Sequence, residues 1–277
     1  MKTKHCLITG GTSGLGLEFV KIFIKKDFFI HIISRNEEKF KYQINKLPKK
    51  TKSKIFFYKT DLFDVESVNK TIKKLKKIKN IDFLINNAGI ISLEKEMNVN
   101  NMEKTLMVNY LSHFFITYSL RKNILKAKNG KIINISSVVH KFAFLNMKDL
   151  NMETFYNGWI AYFNSKLMIL LFTYKLNLIF KDIQSFAIHP GWIKTNFGNN
   201  NENIIRKFLS QIRSIFAKNP DAVAKRIFKL VTSNNVDKKD CYFSIDKVRK
   251  SSDRSLDRRL QNELWKKSIK FFNEYVS

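Results

Sequence analysis

Short apolar runs alternate with longer amphipathic stretches along most of the chain. The short runs are rich in Ile and Phe and have the length of buried β-strands; they cover residues 6–9, 28–34, 55–59, 83–86, 131–136 and 185–188. The longer stretches place apolar residues at helical spacing and cover residues 15–26, 37–46, 65–79, 102–125 and 159–180. Strands that are apolar throughout and alternate with helices predict a parallel sheet covered on both faces.

The fold class that follows is α/β, a Rossmann-like doubly wound parallel sheet with three layers, α/β/α. A length of 277 residues suits one large domain, so we expect residues 1–277 to form a single domain. Residues 1–130 would mainly bind a cofactor, and residues 131–277 would carry the catalytic groups and the substrate loops. Three segments break the alternation, and we place the substrate site near the first two: residues 140–158, 198–219 and 247–259.

A glycine-rich turn follows the first predicted strand and opens the first predicted helix. Glycines here permit a tight turn, the approach of a pyrophosphate to the backbone, and close packing of helix on strand. The helix N-terminus adds free N–H groups and the positive end of a dipole. The turn therefore predicts a phosphate site made by Thr9, Gly10, Thr12, Ser13, Gly14, Leu15 and Gly16.

The spacing GxxxGxG over residues 10–16, preceded by Thr9, resembles the short-chain dehydrogenase/reductase family. Later segments, each after a predicted strand, are similar to further motifs of that family: a DL pair, an NNAG turn and a PGxxxT loop. The resemblance implies that these segments contact the cofactor through Asp61, Leu62, Asn87, Ala88, Gly89, Pro190, Gly191, Ile193 and Thr195.

The end of the second predicted strand distinguishes between the two nicotinamide cofactors. An NAD site would place an acid here for the ribose 2′-hydroxyl, but the strand ends in Ser34 and Arg35. A guanidinium can bind a 2′-phosphate through two parallel hydrogen bonds, and a serine can donate another. We therefore expect NADP(H) rather than NAD(H). Arg35 would carry most of the discrimination, because the glycine turn contains no basic residue.

The catalytic groups are indicated by YxxxK spacing within a predicted helix. Tyr162 and Lys166 share one helix face, where a cation can lower a tyrosine pKa from its usual value near ~10 by roughly 1–3 units. Ser137 ends the fifth predicted strand, at the sheet edge where ligands bind in such folds. The family resemblance implies that Tyr162, Lys166, Ser137 and Asn109 are catalytic, with Asn109 kinking its helix and holding a water for a proton relay. Tyr162 and Lys166 would also bind the cofactor, Lys166 through the nicotinamide ribose hydroxyls.

The gap of 25 positions between Ser137 and Tyr162 is longer than in the commonest members of the family. It resembles the branch that contains retinol dehydrogenases, the WW-domain oxidoreductase and, more distantly, protochlorophyllide reductase. Members of that branch often handle hydrophobic substrates. Aromatic residues near the predicted substrate loops either line an apolar pocket or pack the loops; they are Phe142, Phe144, Phe155, Tyr156 and Trp192.

Charge and cysteine content limit the alternatives. The net charge of +28 allows a nucleic acid or an anionic membrane surface as partner, but the basic residues are scattered along the whole chain. Cys6 and Cys241 lie far apart, which argues against a disulfide or a metal site. The most apolar stretch, residues 167–180, is too short to span a bilayer. We expect a cytoplasmic protein with no signal peptide, no membrane span and no specific nucleic-acid partner.

The sequence therefore predicts an NADP(H)-dependent oxidoreductase that interconverts a carbonyl and an alcohol on a hydrophobic small molecule. Tyr162 would act as general acid and Ser137 would stabilise the oxyanion. One alternative is reduction of a carbon–carbon double bond by the same residues. Another is a non-catalytic NADP(H)-binding sensor or scaffold, against which the complete catalytic set argues. A homodimer through the helices of Asn109 and Tyr162 is also expected of relatives, unless the C-terminal extension covers that surface.

Overall fold

The computed structural model describes residues 3–191, 219–233, 236–237 and 239–276. Within them one sheet has the strand order β3-β2-β1-β4-β5-β6-β7-β8. The strands are β1 His5–Thr9, β2 Phe29–Ser34, β3 Ile55–Lys59, β4 Phe83–Asn86, β5 Lys131–Ile135, β6 Gln184–His189, β7 Tyr242–Ser244 and β8 Lys247–Val248. Neighbours are parallel except for β7 and β8. This sheet confirms the doubly wound α/β fold and places its crevice between β1 and β4, where the strand order reverses.

Helices cover both faces of the sheet. They are α1 Gly14–Lys25, α2 Glu37–Asn45, α3 Lys49–Lys52, α4 Val65–Leu75, α5 Lys104–Leu106, α6 Ser112–Leu125, α7 Gly158–Ile179, α8 Pro220–Thr232, α9 Asp253–Leu256 and α10 Arg258–Tyr275. A π-helical turn, Met107–Leu111, joins α5 to α6, and a 3-10 helix, Val138–Phe142, follows β5. None of the described helices is long and apolar enough to cross a membrane.

The strands separate two apolar cores because alternate side chains point to opposite faces. On β1, Ile8 packs with α1 and α8, whereas Leu7 packs with α4, α6 and α7. Helix α4 shows why such segments are helical: Val68, Ile72 and Leu75 are fully buried on one face, and lysines occupy the other.

Helix α4 ends at Leu75, four residues before the expected end at residue 79. The amide of Asn123 donates to the carbonyl oxygens of Lys76 and Ile78, which draws residues 76–78 toward α6. The expectation was wrong because this stop depends on a distant side chain rather than on a local breaker.

The C-terminal region contains elements that the hydrophobic pattern did not separate. Helix α8 packs on α1 through Val223, Ala224 and Ile227. The segment 247–259, expected to be a charged bridge, consists of β8, α9 and the first residues of α10.

Helix α10 lies against α6 and α7. The Trp265 ring centre is 5.3 Å from Phe114 and 6.3 Å from Phe172. The hydroxyl groups of Tyr110 and Ser268 are 2.7 Å apart in the buried contact. The C-terminal extension therefore covers the outer faces of the helices that follow β4 and β5.

Candidate active site

The glycine turn between β1 and α1 has a backbone that only glycine accommodates. Gly10 and Gly14 have φ of +70° and +51°, in the left-handed region. A Cβ at Gly16 would lie 2.2 Å from the carbonyl oxygen of Gly10. Side chains are thus excluded from the place where the backbone must approach a ligand.

The N-terminus of α1 is open. Ser13 is its extended N-cap residue, yet the Ser13 side chain makes no capping hydrogen bond, and the first turn contains no acid. Leu15 anchors the turn in the core at 5% exposure. An uncapped helix of this length, preceded by a glycine turn, fits the pyrophosphate of a dinucleotide cofactor.

Thr9 joins the glycine turn to the NNAG turn after β4. Its hydroxyl oxygen accepts from the backbone N–H groups of Asn87 and Ala88 at 2.9 and 3.0 Å. The Asn87 amide donates back to the carbonyl oxygens of Thr9 and Gly10. The two turns, with Gly89 directly after them, form one rigid rim of the crevice.

His113 extends this network and was missed from the sequence. Its Nδ1 lies 3.0 Å from the Asn109 carbonyl oxygen and its Nε2 lies 2.9 Å from the Thr9 hydroxyl. A carbonyl only accepts, so Nδ1 carries the proton and Nε2 accepts from Thr9. Burial lowers the pKa of His113 to about 4, which keeps the ring neutral. A histidine within an apolar helical run gives no sequence signal for such a bridge.

A cavity of about 340 Å³ lies at the ends of β2 and β3 and is lined by Arg35, Lys59, Asp61 and Ser67. The Ser34 hydroxyl at its edge is 3.3 Å from the Thr12 hydroxyl. Asp61 accepts from the Phe63 backbone, whereas the Leu62 side chain belongs to the core at 6% exposure.

Lys59 is a second basic residue in this cavity, and it was not among the residues predicted to bind the cofactor. It pairs in register with Ser34, the residue before Arg35. The signal that would have found it is the predicted adjacency of the second and third strands, both of which end here. Two cationic residues, Arg35 and Lys59, therefore line this cavity together with the carboxylate residue Asp61.

Helix α7 carries the YxxxK pair and is held at its start. The Asn157 side chain caps it by accepting from the backbone of Trp159 and Ile160. A Cβ at Gly158 would lie 2.2 Å from the Ser92 carbonyl oxygen, so this end of α7 sits directly on the loop after β4. Tyr162 follows one turn later.

Lys166 is buried at 4% exposure. Its Nζ donates to the Ile135 carbonyl oxygen at 3.0 Å and lies 5.3 Å from the centre of the Tyr162 ring. Burial disfavours the charged form and lowers the pKa of Lys166 to about 8. The Ser136 hydroxyl donates to the Lys166 carbonyl oxygen, which docks α7 on the end of β5.

Ser137 follows immediately, in extended conformation, as the N-cap residue of the 3-10 helix. Its hydroxyl oxygen is 3.4 Å from the Val139 backbone nitrogen, from which it accepts. The side chain is half-buried. It lies one residue beyond Ser136, which contacts the Lys166 backbone.

Asn109 lies within the π-helical turn, where its helix was expected to kink. Its amide group exchanges two hydrogen bonds with the Ile90 backbone and donates to the Ser165 hydroxyl at 3.0 Å. Ser165 in turn donates to the Tyr162 carbonyl oxygen at 2.7 Å. Asn109 therefore connects the loop after β4 to the catalytic face of α7.

The remaining predicted residues lie after β6. Pro190 and Gly191 begin the loop there, and Gly191 has φ of +79°. Ile193, Thr195 and the aromatic residue Trp192 lie outside the described residues.

The aromatic residues near the substrate loops divide into two groups. The Tyr156 hydroxyl donates to the Ser92 carbonyl oxygen at 2.9 Å, so Tyr156 packs its loop. Phe142, Phe144 and Phe155 are instead 62–71% exposed. Across the described part of the chain, no cluster of His, Cys, Asp or Glu is arranged to hold a metal ion.

Comparison with known proteins identifies the family. The family model for short chain dehydrogenase matches residues 4–204. The chain is 28% identical to polyprenol dehydrogenase from Homo sapiens over 273 residues, covering 95% of this chain and 83% of that protein. It is 28% identical to retinol dehydrogenase 11 from Mus musculus over 226 residues, covering 80% and 71%.

The solved structure of ElxO with NADP bound superposes with a TM-score of 0.64 at 29% identity, covering 88% of this chain and 97% of that one. The family, the branch and the enzyme class expected from the sequence are confirmed, and the expected NADP(H) agrees with the cofactor in that structure. The chain belongs to the short-chain dehydrogenase family and is an oxidoreductase.

Proposed function

We propose that this protein interconverts a carbonyl and an alcohol on a hydrophobic small molecule, with NADP(H) as cofactor. The observation that carries the proposal is the buried Lys166 ammonium 5.3 Å from the Tyr162 ring. Burying a lysine is costly, and here the charge lies near the ring of a tyrosine whose hydroxyl group can exchange a proton.

Bound NADPH supplies the hydride. In the reducing direction Tyr162 donates its hydroxyl proton to the substrate oxygen, and the Lys166 cation stabilises the phenolate that remains. Ser137 donates a hydrogen bond to the same oxygen while negative charge develops on it. In the oxidising direction the same groups act in reverse.

Asn109 supports this arrangement from the π-helical turn. Its side chain fixes Ser165, which neighbours Lys166, to the loop after β4. The backbone carbonyl oxygen of Asn109 accepts from His113. A carbonyl oxygen has two lone pairs, so it can also accept from a relay water. We assign Asn109 both the positioning of α7 and the relay that the family resemblance implies.

The cation pair at the adenosine end supports NADP(H). Arg35 and Lys59 line one cavity, and no acid stands at the end of β2 to receive a ribose 2′-hydroxyl. Charge-assisted hydrogen bonds to a phosphate contribute roughly 1.5–3 kcal/mol each.

The substrate is an apolar aldehyde, ketone or alcohol. Phe142 and Phe144, which follow the catalytic serine, are large exposed apolar side chains and are available to cover an apolar ligand. Two relatives are named for polyprenol and retinol, both long apolar alcohols.

The test uses NADPH that carries deuterium at its reactive nicotinamide carbon, with a panel of retinal, a polyprenal, an aromatic ketone and a short polar aldehyde. We expect turnover of the long apolar aldehydes, with deuterium on the former carbonyl carbon. Deuterium on an alkene carbon would replace carbonyl reduction by double-bond reduction. Tight NADPH binding with no turnover of any substrate would overturn the proposal in favour of a cofactor-binding scaffold.

We also propose that the outer face of α6 and α7 is not a dimer contact in this protein. Trp265 and Ser268 of α10 already occupy that face. Light scattering should therefore give the mass of a monomer, or of a dimer that survives surface charge substitutions on α6. A dimer disrupted by such substitutions would contradict this proposal.

A further inference from the structure

His140 is a buried imidazole close to the catalytic serine that the proposed mechanism does not use. It lies in the 3-10 helix after β5 and is 1% exposed. The Tyr242 ring of β7 packs edge-on against it, with ring centres 5.0 Å apart. Burial lowers the pKa of His140 below its usual value, so the ring is neutral near pH 7.

Both ring nitrogens of His140 have assigned partners. Nδ1 is 2.7 Å from the Ser137 carbonyl oxygen, and Nε2 accepts from the Ser252 backbone N–H at 3.1 Å. A backbone N–H only donates and a carbonyl only accepts, so the proton must be on Nδ1. The imidazole therefore connects the Ser137 peptide group to the backbone of Ser252, which lies 112 residues after His140 in the chain.

The segment that contains Ser252 is held in place by hydrogen bonds to two other parts of the chain. Arg254 donates to the carbonyl oxygens of Ala143 and Leu145 at 2.9 and 2.7 Å. The Ser251 hydroxyl is 2.8 Å from the Tyr174 hydroxyl of α7 and 2.7 Å from the Ser255 hydroxyl. Residues 251–255 thus bind both to the loop that follows Ser137 and to the helix that carries Tyr162.

The Ser137 hydroxyl itself is weakly held by the 3-10 helix that it caps. The hydrogen bond that it accepts from Val139 is long, at 3.4 Å. The Ser137 peptide group, by contrast, is held by the His140 ring and by the His140 backbone N–H at 3.3 Å. The direction of the hydroxyl therefore depends on a peptide plane that His140 fixes.

We propose that His140 is a positioning residue, which transmits the position of the C-terminal segment 251–255 to the catalytic Ser137. Because His140 is buried and bonded to Ser137 and Ser252, it acts through Ser137, and its role rests on the function proposed for Ser137. A displaced catalytic group can cost up to about 100-fold in rate, so His140 acts on kcat rather than on NADPH affinity.

Two substitutions of His140 separate its two hydrogen bonds. In His140→Asn the amide N–H replaces Nδ1 and keeps the bond to Ser137, whereas His140→Gln reaches only toward Ser252. We expect kcat to fall up to about 100-fold in His140→Gln, which loses the bond to Ser137, and about tenfold in His140→Asn, which loses only the bond to Ser252, with unchanged Kd for NADPH in both. Equal loss of kcat in the two variants, or a loss that follows the Tm, would overturn the proposal.

A second pair tests the far end of the connection. Ser252 has φ of −68°, which suits proline, so Ser252→Pro removes the backbone N–H that donates to His140, together with the side-chain hydroxyl. Ser252→Ala keeps that N–H and is the control. We expect a fall in kcat of about tenfold for Ser252→Pro relative to Ser252→Ala, with equal NADPH affinity. Equal kcat in the two variants would contradict the proposal that His140 links residues 251–255 to Ser137.

A readout without turnover separates this inference from the proposed function. The imidazole nitrogen resonances of His140, identified by their loss in His140→Asn, should show a neutral ring with the proton on Nδ1 near pH 7. A ring protonated on Nε2, or on both nitrogens, would overturn the positioning role even in an active enzyme. The expected resonances with no carbonyl turnover would leave the connection intact and reject the proposed function instead.

Discussion

The first turns of α1 and α7 differ in what satisfies their backbone. At α1, Ser13 makes no capping hydrogen bond, and the first turn contains no acidic residue. At α7, the Asn157 side chain accepts from two of the corresponding N–H groups, and Gly158 rests on the Ser92 backbone. The first helix start is left open for a ligand, and the second is closed by the protein itself.

This difference divides the chemistry of the site. The open end of α1 acts through its backbone. The sequence therefore needs glycines there, because they have no side chain. The closed end of α7 serves as a fixed base for side chains one and two turns later, Tyr162 and Lys166. Binding and catalysis should therefore respond separately to mutation, and five predictions test the two ends of the site.

The largest effect is expected for Tyr162→Phe. The ring and its position above Lys166 remain, but the proton donor is lost, so kcat should fall roughly 10²–10⁴-fold. NADPH affinity, measured by fluorescence titration, should stay within about twofold. This is far below a tenfold change in affinity, which corresponds to about 1.4 kcal/mol. A parallel loss of affinity would show that the two ends are not separate.

The next effect concerns the cofactor end. Arg35→Ala should weaken NADPH binding about 10- to 100-fold, because one charge-assisted contact to the 2′-phosphate is worth roughly 1.5–3 kcal/mol. Lys59→Gln should have a smaller effect of the same sign. The control is NADH, whose affinity should change in neither variant because NADH carries no 2′-phosphate. Loss of NADH binding would mean that the substitutions disturb the fold.

The pH dependence of the catalytic end comes third. The pKa of Lys166 is about 8 in the folded protein, so the cation is lost as pH rises through that value. The rate of carbonyl reduction should then fall about tenfold per pH unit above 8, and Lys166→Arg should move this fall to higher pH.

The same group makes a signed contribution to stability. An unfolded lysine has a pKa near ~10.4, so between this value and 8 the unfolded chain binds more protons than the folded one. The contribution of Lys166 to the free energy of unfolding should therefore rise with pH across that window. A contribution that fell there, in a comparison with Lys166→Met, would contradict the burial of the charged form.

The smallest effect compares the two helix starts directly. Asn157→Ala should lower the free energy of unfolding by about 1 kcal/mol, as loss of an N-cap does. Ser13→Ala should change it by much less in the absence of nucleotide, because Ser13 makes no capping bond. Chemical denaturation of the nucleotide-free proteins measures both, and equal losses would show that α1 is capped in solution.

The sequence predicted the parts of the site that have local causes. The glycine turn follows from steric exclusion at Gly16, and YxxxK follows from helical spacing, so neither needs knowledge of the rest of the fold. Strand–helix alternation likewise predicted the sheet, because buried parallel strands are apolar throughout.

The parts that escaped prediction depend on contacts distant in sequence. Lys59 reaches the cofactor end only through strand register, and His113 and His140 gain their partners only when separate loops meet. The early stop of α4 depends on Asn123 in the same way. The strand β7 is too short to show a period of its own and is recognisable only beside β6.

The order of the elements along the chain gives α10 a consequence for synthesis. Helix α10 follows every strand of the sheet, so the aromatic face formed by Phe114, Tyr118 and Phe172 is complete before its cover has been made. A nascent chain that folds from its N-terminus exposes that face during this interval. We therefore expect such a chain to expose apolar surface until α10 has been made, and its yield in a cell to depend on chaperones that hold apolar surfaces.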